Sequence, residues 1–271
     1  MDGKIKMCNR GFHACESPFD VFDYYTMIDS RFCEVEQDGN ISKWDRGTKI
    51  CSSKIKIKAE LKLADMINLG VEWLKEITSP EKIKTSIKDN SSGNNAQIGS
   101  SGDGAKIGSS GYGAKIGSSG YDAQIGSSGY DAQIGSSGNN AKIGSSGDGA
   151  QIGSSGNGAQ IGSSGNNAKI GSSGDGAQIG SSGYGAKISS SGYGAKIDST
   201  GEDCVIMCAG INSVAKASKG SWVTLSEWSY SEEKQRYIPI CVKTEFVDGE
   251  KIKADTYYSL KGGVFVEWIN D

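Results

Sequence analysis

Hydrophobic residues recur every nine positions between residues 90 and 206. The frame is Gly-Ser-Ser-Gly-x-x-Ala-x-Ile, numbered here as positions 1 to 9, and thirteen consecutive units follow it, such as GSSGDGAKI at 99–107. Side chains alternate along a β-strand, so Ala and Ile should point inward and the Lys or Gln between them outward. A short fixed period without proline or insertions indicates a solenoid in which each unit packs on its neighbours.

Each nonapeptide supplies one strand and one turn, so a coil of this solenoid contains either two units or three. A core of Ala and Ile is thin, which favours a flattened coil of two units. At about 4.8 Å per coil, the tract then makes a rod roughly 30 Å long. A coil of three units remains the alternative, because it would align identical residues. It would stack Gln97 on Gln124 in one column and Lys115 on Lys142 in another. Stacked glutamines stabilise a sheet, whereas stacked lysines repel each other. The glycines of the Gly-Ser-Ser-Gly segment are expected to turn the corner through positive φ angles.

Residues 1–89 are predicted to form a small α+β domain. Strands are expected at 11–15, 31–37 and 50–61, with a short helix after Ser17 and Pro18. In the last strand lysines alternate with apolar residues, which is typical of a strand buried on one face. A second helix, at about 63–77, should cover the first open coil of the solenoid. The side chains expected inside are Val21, Phe22 and Tyr25 of the first helix, Ile55, Ile57, Ala59 and Leu61 of the strand, and Met66, Ile67, Val71, Leu74 and Ile77 of the second helix.

The nonapeptide frame decays near residue 215, and residues 216–271 are predicted to form a β-rich C-terminal cap. A bare solenoid end would pair with another chain, so a cap is required. Trp222, Trp228 and Trp268 are expected to cover the final coil. The predicted fold is mainly β: a nonapeptide-repeat β-solenoid (a β-roll or β-helix) at 90–215, between a small α+β N-terminal domain with a capping helix at 1–89 and the cap at 216–271.

One stretch of the N-terminal domain carries a family resemblance. The segments RGFHACESPFDVFDYY at 10–25, RFCEVE at 31–36 and SKIKIKAE at 53–60 resemble the opening domain of an uncharacterised family found largely in phages and prophages. Members of that family are also similar in having a nonapeptide tract, a closing segment like that at 210–217 and a strand-rich tail. The resemblance implies a protein of an infected or lysogenic bacterium and brings no agreed activity.

Two narrower resemblances add alternatives. The nonapeptide frame is similar to the head repeats of trimeric autotransporter adhesins, and NSVA at 212–215 matches their commonest unit; this implies a β-roll and a homo-oligomer, either a dimer or a trimer. The GFHAC strand at 11–15, followed by Pro18 and Tyr24, is similar to a segment of the ADP-ribosyltransferase fold. The nicotinamide-binding strand and the catalytic Glu motif of that fold have no identifiable counterpart, so an inactive relic is the form expected.

Charge and cysteine usage narrow the classes of partner. The formal net charge is −3, and lysines and aspartates balance within the repeat, so the tract is neither an acidic DNA mimic nor a basic stripe, and nucleic acid is not an expected partner. There is no leader segment and no apolar run of ~18 residues, so we expect a cytoplasmic protein without a membrane partner. Seven cysteines without a framework spacing suit free thiols in a reducing compartment.

The histidine is the strongest candidate for chemistry. His13 lies between Cys8 and Cys15, with Cys33 and Cys51 further on, so a zinc site or a Cys15 nucleophile with His13 as its base are the two active interpretations. No Cys-x-x-Cys pair is present and no third group orients the histidine. A core histidine among buried thiols is therefore the preferred interpretation, with no catalytic residue, metal or cofactor. Calcium is not expected, because position 6 lacks the regular Asp of calcium-binding nonapeptides.

Positions 5 and 6 of the frame vary most, and tyrosine recurs at position 5. If these tyrosines stack along one edge, they form an amphipathic stripe for recognising a protein or a glycan; the alternative is a corner that merely tolerates change. We expect a non-enzymatic phage protein that binds a host protein and thereby inhibits a host defence system. A structural or adhesion component of a phage particle is the alternative. The predicted binding residues are Tyr112, Tyr121, Tyr130, Tyr184 and Tyr193.

Overall fold

The computed structural model describes residues 5–7, 9–26, 30–44, 48–77 and 93–269. This part of the chain contains a three-stranded sheet and two nine-stranded sheets, together with one α-helix and a short 3₁₀ helix. The predicted fold class is confirmed. The protein is mainly β, with a solenoid of about seven turns between a small α+β region and a β-rich C-terminal segment.

Each repeat unit contributes one four-residue strand, formed by positions 8 and 9 and then positions 1 and 2 of the next unit. Each strand pairs in parallel with the strand two ahead in sequence, so that Gln151 lies beside Lys169, two units further along the chain. The two-unit coil is therefore confirmed. The repeat strands and their last two continuations are Gln97–Ser100 (β4), Lys106–Ser109 (β5), Lys115–Ser118 (β6), Gln124–Ser127 (β7), Gln133–Ser136 (β8), Lys142–Ser145 (β9), Gln151–Ser154 (β10), Gln160–Ser163 (β11), Lys169–Ser172 (β12), Gln178–Ser181 (β13), Lys187–Ser190 (β14), Lys196–Ser199 (β15), Val205–Cys208 (β16) and Val214–Ala217 (β17).

The strands alternate between two sheets that face each other. We call the sheet of β4, β6, β8, β10, β12, β14 and β16 the even sheet, and that of β5, β7, β9, β11, β13, β15 and β17 the odd sheet. The position-9 isoleucines and position-7 alanines form a continuous core between them; Ile125, Ile161 and Ala159 are fully buried. The two-unit register also separates most lysines, because along the position-8 columns only Lys169 and Lys187 are neighbours.

Glycine at position 4 is required by the stacking of the coils. We expected the glycines of the Gly-Ser-Ser-Gly segment to have positive φ angles, and this was wrong: the left-handed residues lie at position 6, for example Asn140 (φ 56°) and Gly149 (φ 71°). At position 4 the backbone of the next coil approaches too closely for a side chain. A Cβ atom on Gly156 would overlap the carbonyl oxygen of Gly138, one coil earlier.

The N-terminal region is an antiparallel sheet followed by a helix. Its strands Phe12–Cys15 (β1), Phe32–Lys43 (β2) and Lys49–Leu61 (β3) lie in the order β1-β3-β2, and β2 and β3 are longer than predicted. The expected half-buried face of β3 is wrong at its C-terminal half, where Ile57 is 68% exposed and Ala59 is exposed. The first helix is the 3₁₀ helix Phe19–Asp23, in which the Ser17 Oγ accepts a hydrogen bond from the Asp20 N–H (3.3 Å).

The α-helix Leu63–Ile77 (α1) does not cap the end of the solenoid as predicted. It contacts β5, β7, β9, β11 and β13, so it lies along the rod on the outer face of the odd sheet. Met66, Ile67, Val71 and Leu74 are buried as predicted, and they form one cluster with Phe19, Phe22 and Phe32. Phe22 is buried as expected. The prediction for Tyr25 is wrong, because Tyr25 is 62% exposed and Phe19 is buried instead.

The C-terminal segment extends both sheets of the solenoid. Trp222–Ser231 (β18) and Arg236–Phe246 (β19) continue the even sheet, and Tyr258–Lys261 (β20) and Val264–Glu267 (β21) continue the odd sheet. The predicted tryptophan cover is wrong, because Trp222 is 49% exposed on the outer face and Trp228 and Trp268 are only partly buried. Aliphatic residues and one tyrosine fill the final coil instead: Val223, Leu225, Val247, Ile252, Tyr258 and Leu260.

Candidate binding surfaces

The outer face of the odd sheet is covered by the N-terminal region. Position 1 is glycine along this face, which leaves a shallow row without side chains, and the cluster around α1 packs into it. A Cβ on Gly126 would lie 2.9 Å from Leu74 Cδ1, and a Cβ on Gly144 would lie 2.6 Å from Phe19 Cζ. The Phe19 ring also packs closely against Gly70 of α1, where an added Cβ would lie 2.6 Å from the same ring atom. Glycines on both sides thus make room for one buried aromatic ring.

Polar groups on both flanks of this glycine row bind the covering segment. On one flank, the Gln124 side-chain amide donates to Asp20 Oδ1 (2.7 Å), and Lys142 forms an ion pair with Asp23 of the 3₁₀ helix. On the other flank, the Ser164 Oγ donates to Asn68 Oδ1 of α1 (2.8 Å). The covering segment therefore combines an apolar ridge with acidic groups on the side of the lysine and glutamine column.

The remaining end of the odd sheet is covered by the C-terminal segment. The Lys196 Nζ lies 4.4 Å from the ring centre of Tyr257 and 4.5 Å from that of Trp268. Lys216 forms an ion pair with Asp198 (3.0 Å) beneath them. Burial raises the pKa of the Asp198 carboxyl, and Lys216 opposes that shift. The outer face of the odd sheet is thus occupied from β5 to β17.

The outer face of the even sheet, by contrast, is open. Positions 8 and 1 are exposed on nearly every strand from β4 to β16, and in the part of the chain that the structure describes nothing lies within 4 Å of a Cβ on Gly117, Gly135 or Gly153. We call this row the even-sheet groove; it runs from Gln97 to Met207 and has a volume of about 1090 Å³. Its three lysines, Lys115, Lys169 and Lys187, form no ion pair with another described residue.

Apolar side chains continue the even sheet beyond this groove. Val205 pairs with Trp222, and Trp222 pairs with Phe246 on the next strand. The rings of Trp222 and Phe246 lie 5.1 Å apart. The exposed apolar residues on this face are Val205 (50%), Met207 (51%), Trp222 (49%), Val242 (61%) and Phe246 (41%), which we call the C-terminal apolar patch. The hydrogen-bonded hydroxyls of Thr224 and Thr244 (2.8 Å) lie between Val242 and the other four residues.

The five predicted tyrosines do not form one stripe. Turns between the sheets alternate between two edges of the rod, so Tyr121 and Tyr193 lie on one edge and Tyr112, Tyr130 and Tyr184 on the other. All five are exposed, between 48% and 61%. Of the five, only Tyr112 and Tyr130 lie on consecutive coils, so a continuous aromatic edge is absent from the described repeat.

Most of these tyrosines fasten one coil to the next. The Asn140 side-chain amide donates to the Tyr121 hydroxyl (2.9 Å), and Asn212 donates to that of Tyr193 (2.8 Å). On the other edge the Tyr112 hydroxyl bonds to the Asp131 carboxylate, which raises the pKa of Tyr112, and Asp203 does the same for Tyr184. In each of these pairs the partner stands at position 6 of the following coil.

Variation at positions 5 and 6 is therefore coupled between neighbouring coils. Where position 5 is Asn or Asp, its side-chain oxygen accepts from the backbone N–H of position 5 on the next coil, as between Asp103 and Tyr121 (2.8 Å). Tyr130 is the exception among the tyrosines, because position 6 of the following coil is Gly149, which offers no side chain. Tyr130 is also the most exposed of the five, at 61%. A structural role thus accounts for four of the five predicted binding residues.

The N-terminal sheet carries His13 and its neighbouring thiols. His13 pairs with Cys51 across β1 and β3. The predicted core histidine among buried thiols is wrong except at Cys51, which is fully buried; His13 and Cys15 are half-buried and Cys33 is exposed. Cys8 lies outside the described residues. A half-open cavity of about 1270 Å³ is lined by His13, Cys15 and Tyr24, among other residues. The Cys15 thiol in this cavity is a poor nucleophile, because its pKa is raised to about 11. Burial is the larger cause of this shift, and the negative charge of Asp20 adds to it.

This pKa predicts a slow reaction of Cys15 with alkylating agents. A raised pKa means less thiolate at a given pH, so at pH 8 roughly one Cys15 in a thousand is ionised. We expect iodoacetamide to label exposed Cys33 well before Cys15 at pH 8, and to label Cys15 appreciably only as the pH approaches 11. Mass spectrometry of the alkylated peptides measures both rates. Equal labelling of the two cysteines at pH 8 would contradict this description.

The described residues offer neither a metal-binding cluster nor a membrane span. Within them, no three His, Cys, Asp or Glu side chains are grouped closely enough to hold a metal ion. No helix in these ranges is long and apolar enough to cross a membrane.

Comparison with known proteins reaches only the N-terminal part of the chain. Neither the curated proteins nor the solved structures include a match. Residues 1–69 match the model of DUF7666, a domain of unknown function, and this range contains the RGFHAC segment, β1 to β3 and the first half of α1.

Proposed function

We propose that this chain is a non-enzymatic, phage-encoded binding protein that inhibits a host defence system by protein–protein interaction. The resemblance of the segment at 10–25 to phage and prophage proteins supports the phage origin. The raised pKa of Cys15 argues against Cys15 as a nucleophile and in this way supports a role without chemistry. The host protein is bound in the cytoplasm of the infected or lysogenic bacterium, and the protein itself is a dimer or trimer.

The observation that carries this proposal is the C-terminal apolar patch. Four of its five apolar side chains, all except Val242, are neighbours on one outer face, each between 41% and 51% exposed. Contiguous exposed apolar surface on a soluble domain marks a site of protein interaction, whereas scattered apolar residues do not. Trp and Phe are both enriched at the cores of interfaces, and Trp is among the residues that contribute most binding energy there.

A pull-down with the full chain as bait tests this function. We expect a bacterial lysate to yield one stoichiometric host protein that belongs to a defence system. Expression of the chain in cells carrying that system should restore phage plaque formation. The double variant Trp222→Ser/Phe246→Ser should lose both effects, because it removes the centre of the C-terminal apolar patch. The control Ile57→Ser also removes an exposed apolar residue (68% exposed), on the N-terminal sheet, and should keep both.

One outcome would overturn the proposal, and a second would overturn its binding surface. A bait that retains nothing and has a clean trimer mass in light scattering would favour the structural alternative, a component of the phage particle. Retention of the same host protein by the Trp222→Ser/Phe246→Ser variant would remove the C-terminal apolar patch as the binding surface.

A further inference from the structure

We infer that the even-sheet groove is a docking site for an amphipathic α-helix of the partner protein, with an apolar ridge over the glycines and acidic residues beside the lysines. This inference rests on the proposed binding function and assigns chemistry to the partner. It is drawn from the repeat itself, because both sheets present the same outer positions and the odd sheet already holds the apolar helix α1 together with the acidic 3₁₀ helix.

The odd sheet shows what this surface accepts. Its glycine row receives α1 and Phe19, its lysine and glutamine column bonds to Asp20 and Asp23, and its position-3 serine bonds to Asn68. The strands of the two sheets have the same sequences, QIGS or KIGS, along most of their length. The difference lies in coverage: β7 and β9 are buried at every position, whereas β6, β8 and β10 alternate between exposed and buried.

The length of the even-sheet groove fits a helix. Six strands, from β4 to β14, bear its glycines and lysines, and five spacings of about 4.8 Å make roughly 24 Å. A helix of about 16 residues has that length at 1.5 Å per residue. On the odd sheet, the 15-residue α1 contacts five strands, β5 to β13. The even-sheet groove therefore holds a helix at least as long as α1.

The lysines of the even-sheet groove favour a partner helix with acidic residues on one side, and they argue against a second copy of this chain as the occupant. On the odd sheet Lys142 pairs with Asp23 and Lys106 lies 4.9 Å from the ring centre of Trp73. Lys115, Lys169 and Lys187 of the even sheet are exposed. Two even sheets placed face to face would oppose lysines and leave two shallow glycine rows unfilled. A helix with carboxylates on one side satisfies both the charge and the shape.

Synthetic peptides with the sequence of residues 62–77 provide the probe. In the protein Trp73 lies beside Lys106 of the odd sheet. The peptide variants Trp73→Glu and Trp73→Lys therefore differ in charge at the position that would face the lysines of the even-sheet groove. We expect the Trp73→Glu peptide to bind the full chain with a dissociation constant on the order of 10 μM in fluorescence anisotropy. The Trp73→Lys peptide should bind about fivefold more weakly or worse, because it faces like charges.

The double variant Gly135→Val/Gly153→Val fills the even-sheet groove. Both glycines have open space where a Cβ would stand, and Ser189 and Met207 already occupy the same position on β14 and β16, so the fold should tolerate valine. We expect this variant to lose binding of the Trp73→Glu peptide at least tenfold, while Tyr130→Ala, on the turn edge, keeps it. A triple variant Lys115→Glu/Lys169→Glu/Lys187→Glu leaves the glycines intact and should reverse the preference between the two peptides.

Several results would overturn the inference. These are the absence of saturable peptide binding, binding that persists in the Gly135→Val/Gly153→Val variant, and a peptide preference that the lysine variant does not change. A concentration-dependent dimer in light scattering that the valine variant abolishes would show that a second copy occupies the even-sheet groove. If the peptides fail while the pull-down succeeds and depends on Trp222 and Phe246, the proposed function stands and only the helix is wrong. If the peptides bind while the pull-down stays empty, the even-sheet groove accepts a helix and the proposed function is wrong.

Discussion

Replacing Gly156 with alanine is expected to destabilise the solenoid by about 3 kcal/mol or more. Gly156 is at position 4, where a Cβ would overlap the carbonyl oxygen of Gly138 on the preceding coil. That oxygen belongs to the backbone and cannot rotate away, so the two coils must separate locally. Separation also weakens neighbouring parallel pairs, such as β8 with β10. Urea denaturation followed by circular dichroism measures the change in the free energy of unfolding.

Gly153→Ala is the matched control for this prediction. It makes the same chemical change three residues earlier in the same unit, but no atom lies within 4 Å of the new Cβ. We expect an effect within about 0.5 kcal/mol, or a slight gain, because alanine reduces the entropy of the unfolded chain. Equal losses from the two variants would mean that glycine is needed for backbone freedom throughout the strand and not for close stacking at position 4.

Replacing Phe19 with alanine is expected to cost about 3–5 kcal/mol of the stability with which the N-terminal region holds the odd sheet. Phe19 is 1% exposed, and its ring fills the space between Gly70 and Gly144. Alanine would leave a cavity that the rigid strands cannot close. We expect residues 1–77 to become sensitive to trypsin and to exchange amide hydrogens faster, while the solenoid core from Ile98 to Leu260 stays protected in hydrogen-exchange mass spectrometry.

Two further variants test the origin of that effect. Gly144→Val should give the same release from the solenoid side, because its Cβ would lie 2.6 Å from Phe19 Cζ. Tyr25→Ala removes another aromatic ring six residues along, but Tyr25 is 62% exposed, so protection of the N-terminal region should be unchanged. If Phe19→Ala leaves proteolysis as it was, α1 is held by the polar flanks and not by the ring.

The sequence predicts the solenoid well because its information is local and repeated. Ala and Ile at positions 7 and 9 must point inward in any coil, and the two-unit coil follows from the thinness of the core they make. The same rule holds where the unit changes, because Cys204 stands in place of alanine at position 7 of its unit and is 0% exposed. The position-4 glycine could not be explained in the same way, because the carbonyl it avoids belongs to a different unit, one whole coil earlier in the chain.

The candidate surfaces were harder to predict because they depend on which segment covers which face. No periodicity in α1 distinguishes the end of a solenoid from its side, since both present apolar residues. The tyrosines recur at one frame position, yet the alternation of sheets divides them between two edges. One signal could have been found beforehand: for four of the five tyrosines, position 6 two units later is Asn or Asp, namely Asp131, Asn140, Asp203 and Asn212.

The two-unit coil also constrains how such a gene can change in length. Loss or gain of a pair of nonapeptides removes or adds one whole coil and leaves every later strand on its own sheet. Loss or gain of a single nonapeptide would exchange the even and odd sheets beyond that point. β18 would then continue the sheet that carries the N-terminal region, and the C-terminal apolar patch would turn to the opposite side of the rod. Recombination among these near-identical units is therefore compatible with the present arrangement of surfaces only in steps of two.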